Sequence, residues 1–385
     1  MVQEVCLRNR GSDLAYYRSL FPITKESIYF NHAGTGPMSI PAQQAIEKCV
    51  STYAKQAEFE IDDYFGLIHD ARRTVARLIN ADPEEIVFTH NTSEGIYIAL
   101  VNLPLRPGDT VLIMDEVFPA VRYIVDYNLP YIDKKYAAFT DQNPIDVVRH
   151  HMHERLKAVV VDYVQFLSGE TLDLIDLSRY TKEHGIYLVV DGIQGIGALP
   201  FDVRQQDVDF LACGAAKWLF GPSGAGFLYI NKRTFNHIQT MHTGWLGAEW
   251  RGFQDCSVNP PLYKDARKYE LGTRNVMGIQ ALSENINILL EFSLTRVHER
   301  IASLKSRLRR GLENSSFDII TPKQGLQSGI LTARHRSDTE RVFRELKKSR
   351  VVISLRNGCL RFSPHFYNTE EEVDQVISII AHSCG

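Results

Sequence analysis

Two residues in the middle of the 385-residue chain have types and surroundings that could carry chemistry. Asp191 ends an apolar, β-branched run over residues 186–190, which is typical of a buried parallel strand. An open α/β sheet binds its ligands outside the carboxyl ends of its strands. Lys217 follows a second apolar run, 210–212, and has small and apolar neighbours. Such surroundings lower the pKa of a lysine amine and make it nucleophilic.

A strand-end carboxylate together with a desolvated lysine suits the chemistry of pyridoxal 5′-phosphate. This cofactor forms a Schiff base with a lysine and needs an acidic side chain that keeps its pyridine nitrogen protonated. The same two residues also fit a simpler interpretation, in which Asp191 caps a turn and Lys217 extends from a loop toward solvent. The residue types alone leave both interpretations open.

Three motifs occur in order along the chain: residues 191–194 (DGIQ), 217–222 (KWLFGP) and 270–275 (ELGTRN). They resemble motifs of the class V aminotransferases, a pyridoxal-phosphate family that includes cysteine desulfurases, C–S lyases, isopenicillin N epimerase and kynureninase. The resemblance runs from Tyr29 to the helix after Asn368. It implies pyridoxal phosphate as the cofactor, with Lys217 as its anchor and proton shuttle and Asp191 as the partner of the ring nitrogen.

Hydroxyl-bearing residues lie between a predicted strand, 86–88, and the helix that follows it. Thr92 and Ser93 stand where helix N–H groups and the helix dipole would face an anion, although an ordinary N-cap is the alternative. The family resemblance implies that both residues hold the cofactor phosphate. It also implies that Thr273 reaches the phosphate of a neighbouring subunit, so we expect a homodimer with shared active sites.

The resemblance implies further contacts to the cofactor ring. Phe118, which follows the predicted strand 110–114, matches the position of a flat side chain stacked on the pyridine ring. A phenylalanine that only packs in the core is an alternative with nearly equal support. Gln165 matches a polar residue near the phenolic oxygen and the substrate. Gln194 is expected to form a hydrogen bond with that oxygen.

Residues 360–369 (LRFSPHFYNT) closely resemble the C-terminal arginine motif of the family. A guanidinium group binds a carboxylate through two parallel hydrogen bonds, so Arg361 implies an α-amino acid substrate, with Arg356 as a weaker second candidate. Asn31 and His32 lie in a small-residue loop that borders the substrate side in the family. Together with Trp245, they complete the predicted substrate contacts.

Two departures from the family pattern bear on the reaction. Gly214 and Ala216 stand where many relatives carry a serine and a histidine before the lysine. Cys359 lies two residues before Arg361, which leaves no room for the loop that carries the nucleophilic cysteine of a desulfurase. Persulfide formation is therefore disfavoured.

The remaining reactions are β-elimination from a sulfur-bearing amino acid, transamination and epimerisation, which share a carbanion at Cα. We favour a C–S lyase, with an aminotransferase or an epimerase as the alternatives. A non-catalytic relative that only binds the cofactor is the alternative from another class of protein. The presence of Lys217, Asp191 and Arg361 together argues against it.

Alternating strand and helix patterns, including strands at 131–137 and 158–162, predict an α/β protein. The resemblance implies the fold type I of pyridoxal-phosphate enzymes, with a mostly parallel seven-stranded sheet, helices on both faces and a small α+β C-terminal domain. We expect a large domain over 28–275 and a small domain formed by 1–27 and 290–385. One long helix, from about 277 to 312, would connect them, with 276–289 between the domains.

Composition restricts the partners and the setting of the protein. A net charge of −3 gives no electrostatic reason to expect nucleic acid or an anionic membrane as a partner, and no apolar run approaches the length of a membrane span. No secretory signal is visible. Six scattered cysteines without paired spacing predict a reducing, cytoplasmic setting. No metal site is expected, since the histidines at 150, 151 and 153 fit a solvated helix face.

Overall fold

A seven-stranded sheet forms the centre of the structure, a computed structural model that describes residues 14–57, 61–140, 142–250, 259–323, 325 and 328–383. The strands in chain order are β1 (Ile28–Tyr29), β2 (Ile86–Thr89), β3 (Thr110–Met114), β4 (Asp133–Ala137), β5 (Leu156–Asp162), β6 (Tyr187–Asp191), β7 (Phe210–Gly214), β8 (Gly226–Ile230), β9 (Phe317–Ile319), β10 (Leu331–His335), β11 (Val351–Val352), β12 (Ser354–Arg356) and β13 (Cys359–Phe362).

Helices connect and cover these strands. In chain order they are α1 (Leu14–Ser19), α2 (Ile40–Gln56), α3 (Ile61–Leu78), α4 (Thr92–Val101), α5 (Pro119–Asn128), α6 (Pro144–His150), α7 (Leu174–Glu183), α8 (Val203–Gln206), α9 (Val276–Phe292), α10 (Leu294–Glu313), α11 (Thr339–Lys348) and α12 (Glu370–Ser383). Short 3₁₀ turns lie at Pro22–Lys25, Pro83–Glu85, Lys232–Thr234, Trp245–Gly247 and Ala266–Tyr269.

The large sheet has the strand order β2-β8-β7-β6-β5-β3-β4. Strand β8 is antiparallel to both of its neighbours, and the other pairs are parallel. Every residue of β3, β7 and β8 is buried, as expected of strands whose two faces are both covered. Strand β4, at one edge, has exposed polar residues that discourage further pairing. The predicted mostly parallel α/β sheet is confirmed.

A second, antiparallel sheet with the order β12-β13-β10-β9 lies in the C-terminal part of the chain. It has a hydrophobic cluster of its own, which includes Leu304, Leu331, Leu360, Phe362 and Val376. This arrangement confirms the predicted small α+β unit. The predicted domain boundaries stay a proposal, and the part of the small domain assigned to 1–13 lies outside the described residues.

Helix α1 and the residues just after it contact both the large-sheet unit and the C-terminal unit. The Arg18 guanidinium donates to the Glu372 carboxylate over 2.7 Å, and the Phe21 ring stacks on the Tyr367 ring with centroids 4.2 Å apart. Phe21 also packs with the core of the large sheet. The segment before β1 therefore contacts both the large core and the C-terminal segment.

The predicted long helix from about 277 to 312 is wrong as a single element. The chain forms α9 and α10, which are separated at Ser293. The φ angle of Ser293 is 81°, and a positive φ cannot continue a right-handed helix. The break redirects the chain from the large core, where Phe292 packs, to the smaller one, where Leu304 packs.

Candidate active site

The candidate site lies at the carboxyl ends of β6 and β7, beside the N-terminus of α4. A cavity of about 350 Å³ opens there. The predicted site residues on its wall are Thr92, Ser93, Phe118, Asp191 and Lys217. These residues come from four separate segments, and the strand order of the sheet brings them together.

Asp191 is the last residue of β6 and is buried. Its Oδ1 accepts a hydrogen bond from the Ile193 N–H over 2.9 Å, which orients the carboxyl group. Burial raises its pKa to about 6, although the Ile193 N–H and the nearby Lys217 amine act in the opposite direction. A buried carboxylate in this position is ready to accept a hydrogen bond from a cationic ring nitrogen.

Lys217 lies in the turn after β7, with its Nζ 5.7 Å from the centroid of the Phe118 ring. Burial lowers its pKa, and the positive charge of Arg361 lowers it further, while Asp191 raises it. The turn packs against the N-terminal loop, because the Gly36 N–H donates to the Ala216 carbonyl over 2.8 Å. A Cβ at Gly36 would lie 2.1 Å from the Lys217 carbonyl oxygen, so this close approach requires glycine.

The other end of the cavity is built around the first turn of α4. The N-cap Asn91 accepts a hydrogen bond from the Glu94 N–H, and Thr92 Oγ1 accepts one from the Gly214 N–H over 2.9 Å. No described residue accepts the Thr92 hydroxyl hydrogen, which can therefore point at an anion. A Cβ at Gly214 would lie 3.1 Å from Thr92 Oγ1, so glycine at this position allows the close approach. Helix N–H groups and hydroxyls together suit a phosphate.

Two residues that the sequence analysis missed, Ser223 and His90, also line this end of the cavity. Ser223 is exposed and lies in the glycine-rich turn between Lys217 and β8. His90 has its Nδ1 2.8 Å from the Glu94 carboxylate. A hydroxyl in a turn that returns beside the lysine is the signal that could have identified Ser223.

Phe118 precedes α5, lines the cavity and has 46% of its surface exposed. Its ring meets the Phe166 ring edge-on, with centroids 5.6 Å apart and an interplanar angle of 90°. An aromatic side chain that is half exposed inside a cavity is available to stack on a flat ligand. The stacking role therefore stays the prediction for this residue.

The two glutamines predicted near the phenolic oxygen are already engaged by the protein. Gln165 donates from Nε2 to the Glu116 carbonyl and accepts from the Leu167 N–H. Gln194 donates from Nε2 to the Ala33 carbonyl and accepts from the Trp218 indole N–H, each over 3.0 Å. Neither is among the described residues that line the cavity. Each amide nitrogen has a second hydrogen, and the predicted contacts stay predictions.

Arg361 lies in β13 and is buried. Its Nη1 donates to the Phe166 carbonyl oxygen over 2.7 Å, whereas its Nε has no hydrogen-bond partner within the described part of the chain. Burial, and to a smaller extent the Arg356 charge, lowers its pKa to about 10, so it is cationic at neutral pH. The guanidinium is thus held on one side and retains bonding capacity for a carboxylate.

Asn31 and His32 join the N-terminal loop to the small sheet. Asn31 Oδ1 accepts a hydrogen bond from the Ser354 hydroxyl. His32 is fully buried, with Nδ1 2.8 Å from the Ser363 carbonyl oxygen and Nε2 2.8 Å from the Tyr367 hydroxyl. A carbonyl can only accept, so Nδ1 donates to it and Nε2 accepts from Tyr367. Burial lowers the pKa of His32 to about 3, so this ring is neutral.

Like the two glutamines, Arg361, Asn31 and His32, three further predicted site residues are not among the described residues that line this cavity. Thr273 lines a second cavity of about 220 Å³, to which His90 also contributes. Trp245 is 42% exposed, beside Gly272. Arg356 is exposed at the end of β12, where its charge acts on Arg361. Their predicted roles therefore depend on a partner subunit or on the substrate.

The residues around the larger cavity fit pyridoxal phosphate. One end offers hydroxyls and a helix N-terminus, and the other offers a buried carboxylate. An amine with a lowered pKa and an aromatic ring lie between them. Among the residues that the structure describes, no group of three or more His, Cys, Asp and Glu side chains could hold a metal ion.

Comparisons with known proteins agree with this geometry. The model of the aminotransferase class-V family matches residues 28–376. The uncharacterized aminotransferase YcbU of Bacillus subtilis (strain 168) is 24% identical, over 95% of this chain and 96% of its own length. A probable cysteine desulfurase of Pyrococcus abyssi (strain GE5 / Orsay) is 25% identical, over 94% and 96%.

Solved structures share the fold. The cystine C–S lyase C-DES in complex with its product cysteine persulfide superposes with a TM-score of 0.86 at 22% identity, covering 94% of this chain and 99% of the other. The apo cysteine desulfurase from Thermococcus onnurineus NA1 gives a TM-score of 0.84 at 22% identity, covering 96% and 98%.

Proposed function

The chain belongs to the class V aminotransferase family of pyridoxal-phosphate enzymes, and we propose that it is a C–S lyase that removes sulfur from an α-amino acid by β-elimination. Substrates of this class are cysteine, cystine and related β-thio amino acids. The family membership supports the cofactor and the amino-acid substrate. The choice of reaction rests on one feature of the small sheet.

That feature is the position of Cys359. The turn between β12 and β13 consists of Asn357 and Gly358, both with positive φ, which is the geometry of a tight two-residue hairpin. Cys359 follows at once, is buried, and has its Sγ 3.6 Å from the Asn357 carbonyl oxygen. A thiol held inside a strand cannot swing toward a bound substrate, which favours a reaction that needs no cysteine nucleophile at this position.

Bound pyridoxal phosphate supplies a ring that accepts the electron pair left at Cα when a proton is removed. Thr92 and Ser93 would hold the phosphate at the helix N-terminus, and Asp191 would accept a hydrogen bond from the ring nitrogen. Arg361 binds the substrate carboxylate and thereby orients the Cα–H bond. Lys217, whose lowered pKa favours the neutral amine, takes the proton from Cα.

The proposed elimination breaks two bonds of the substrate. The Cα–H bond breaks first, and the Cβ–S bond then breaks as sulfur leaves with its electron pair. Lys217 is the group able to return the proton to the leaving sulfur. The unsaturated amino acid that remains is hydrolysed by water to pyruvate and ammonium.

Transamination is the second candidate, because one of the similar proteins carries the name aminotransferase. It uses the same proton acceptor, and the two reactions differ only in what happens after Cα loses its proton. Epimerisation would return that proton to the opposite face. The presence of Lys217, Asp191 and Arg361 around one site disfavours a non-catalytic cofactor-binding protein.

We further propose a homodimer with shared active sites. Thr273 lines the second cavity and is not among the described residues on the wall of the larger one, which suits a residue that serves a neighbouring subunit. Exposed apolar side chains on this side, among them Met241, Trp245 and Leu271, would be covered by a second copy. Within the described residues, no helix has the length and apolar character that a membrane span requires. A cytoplasmic setting stays a proposal.

The reaction is tested on a panel of amino acids supplied to the holoenzyme. Pyruvate together with sulfide or a persulfide from cysteine or cystine supports the lyase. A keto acid formed only with an acceptor keto acid supports the transaminase, and loss of optical activity supports the epimerase. Lys217→Ala is the negative control, and inactivity of the wild-type protein on the whole panel contradicts the enzyme assignment.

A further inference from the structure

A second buried carboxyl group, Asp162, lies beside Asp191. It is the last residue of β5, and the parallel register of β5 and β6 places Asp162 directly opposite Asp191. Neighbouring strands lie about 4.8 Å apart, and residues in register point to the same face of a sheet. The two carboxyl groups therefore end adjacent strands side by side, and Asp191 of this pair lines the cofactor cavity.

Asp162 is almost completely buried, with 3% of its surface exposed, compared with 6% for Asp191. The nearby Phe118 N–H favours the anionic form of this carboxyl group, but its Oδ1 has no hydrogen-bond partner among the residues that the structure describes. A buried, partly unsatisfied carboxylate beside a second one is unfavourable, and two carboxyl groups this close hold a proton between them. The unsatisfied oxygen is the natural place for that proton.

The surrounding charges decide which of the two residues carries it. Asp162 faces Asp191 on β6, Lys217 after β7 and Glu116 after β3, and Cys213 of β7 lies close to the same group of charges. Burial and the Asp191 charge raise the pKa of Asp162 well above its ordinary value. Asp191 has the Ile193 N–H as a donor and faces the ring nitrogen, so it is the better anion.

We propose that Asp162 is a positioning residue that keeps its proton and donates it as a hydrogen bond to Asp191, which holds Asp191 in its anionic form against the ring nitrogen of the cofactor. This inference rests on the cofactor of the proposed function and is independent of which amino acid is the substrate. The donor lowers the proton affinity of Asp191, so the shared proton stays on the ring nitrogen. The ring then accepts electrons most strongly.

The test compares the holoenzyme with Asp162→Asn and Asp162→Leu. Asparagine retains an N–H donor without an acidic proton, and leucine has a similar size without a donor. The first readout is the ¹⁵N chemical shift of pyridoxal phosphate labelled at the ring nitrogen, measured from pH 6 to 9, a range that keeps the protein near neutral conditions. We expect a protonated ring in the wild type and in Asp162→Asn, and a shift toward the neutral ring in Asp162→Leu.

The second readout is the infrared difference spectrum of wild type minus Asp162→Asn at neutral pH. A C=O stretch of a protonated carboxylic acid is expected in the wild type and absent from the variant. Loss of a hydrogen bond to a charged group should also weaken cofactor binding roughly tenfold in Asp162→Leu and less than threefold in Asp162→Asn.

Two results would overturn the proposal. One is the absence of the carboxylic acid band from the wild type. The other is an identical ring-nitrogen shift in all three proteins. If Asp162→Leu does not retain the cofactor, the infrared band of the wild type decides the question by itself. Neither readout uses substrate turnover, so failure of the proposed lyase reaction would leave both measurements interpretable.

Discussion

The two ends of the cofactor cavity are built in different ways. At the ring end, Asp191 and Asp162 terminate adjacent buried strands, and Lys217 approaches from the next turn. At the phosphate end, Thr92 sits at a helix N-terminus, and the exposed Ser93 and Ser223 complete the wall. Charged groups interact strongly where water is excluded, whereas exposed hydroxyls contribute individually small amounts.

This difference explains how the chain accommodates Gly214 where many members of the resembled family carry a serine. A phosphate held by several weak donors loses little when one is missing, and Gly214 contributes its N–H to orient Thr92. The ring end has no such redundancy, because each charge there shifts the pKa of the next. Substitutions should therefore have large effects at the ring end and small effects at the phosphate end.

The largest effect is expected from Lys217→Ala. Removal of the proton-transferring amine should lower kcat by at least about 10²- to 10⁴-fold, since that is the usual contribution of such a group. Borohydride should attach the cofactor to the wild type and leave it free in the variant, as measured by mass spectrometry. Lys232→Ala, which removes an exposed lysine, is the control and should behave like the wild type. Labelling at another lysine would contradict the assignment.

A pH-dependent effect of up to about 3 kcal/mol is expected from Asp191 in the cofactor-free protein. Burial raises its pKa to about 6 from 3.8 in the unfolded chain, so the folded state binds the proton more tightly. The stabilisation from this proton is present below pH 4 and is lost as the pH rises through about 6. Asp191→Asn has no such proton, so the free energy of unfolding of the wild type minus that of the variant should fall over this range.

Chemical denaturation of both proteins between pH 4 and 7 measures this difference. A constant difference would show that Asp191 does not lie in the buried setting described here. Asp202→Asn, at the half-buried N-cap of α8, is the control variant for this measurement.

An intermediate effect is expected from Arg361→Lys, which alters the proposed contact to the substrate carboxylate. Loss of the two parallel hydrogen bonds to a carboxylate should raise KM roughly 10- to 100-fold, with a smaller change in kcat. Steady-state kinetics on the substrate found in the panel provides the measurement. Arg356→Lys, the matched control on the neighbouring strand, should change KM by less than about threefold. Equal effects of the two substitutions would mean that both arginines bind the carboxylate.

The smallest effects are expected at the phosphate end. Ser223→Ala removes one exposed hydroxyl and should raise the dissociation constant for the cofactor about threefold, whereas Thr92→Val also deprives the Gly214 N–H of its acceptor and should raise it about tenfold. Quenching of tryptophan fluorescence during titration with the cofactor measures both. A hundredfold loss in Ser223→Ala would contradict the redundancy inferred for this end.

Local sequence patterns located much of the site. Asp191 ends a strand, and Lys217, Thr92 and Ser93 come within four residues after one. A residue at or soon after the end of a strand lies near the carboxyl end of that strand wherever the strand is placed. The α/β class followed from the alternation of strand and helix patterns for the same reason. The sequence pattern did not predict the break at Ser293, because the helical apolar pattern continues on both sides of that residue.

By itself, the sequence determined which residue types stand at strand ends, and through its motifs it determined the family. Only the tertiary structure decided that Asp162 and Asp191 are neighbours, since nothing in either strand specifies which strand lies next to it. The tertiary structure alone also put Ser223 and Thr92 on the wall of one cavity, held His32 by buried hydrogen bonds, and placed Thr273 on the wall of a second cavity. Side-chain surroundings depend on which segments pack together, and that packing is a property of the whole chain.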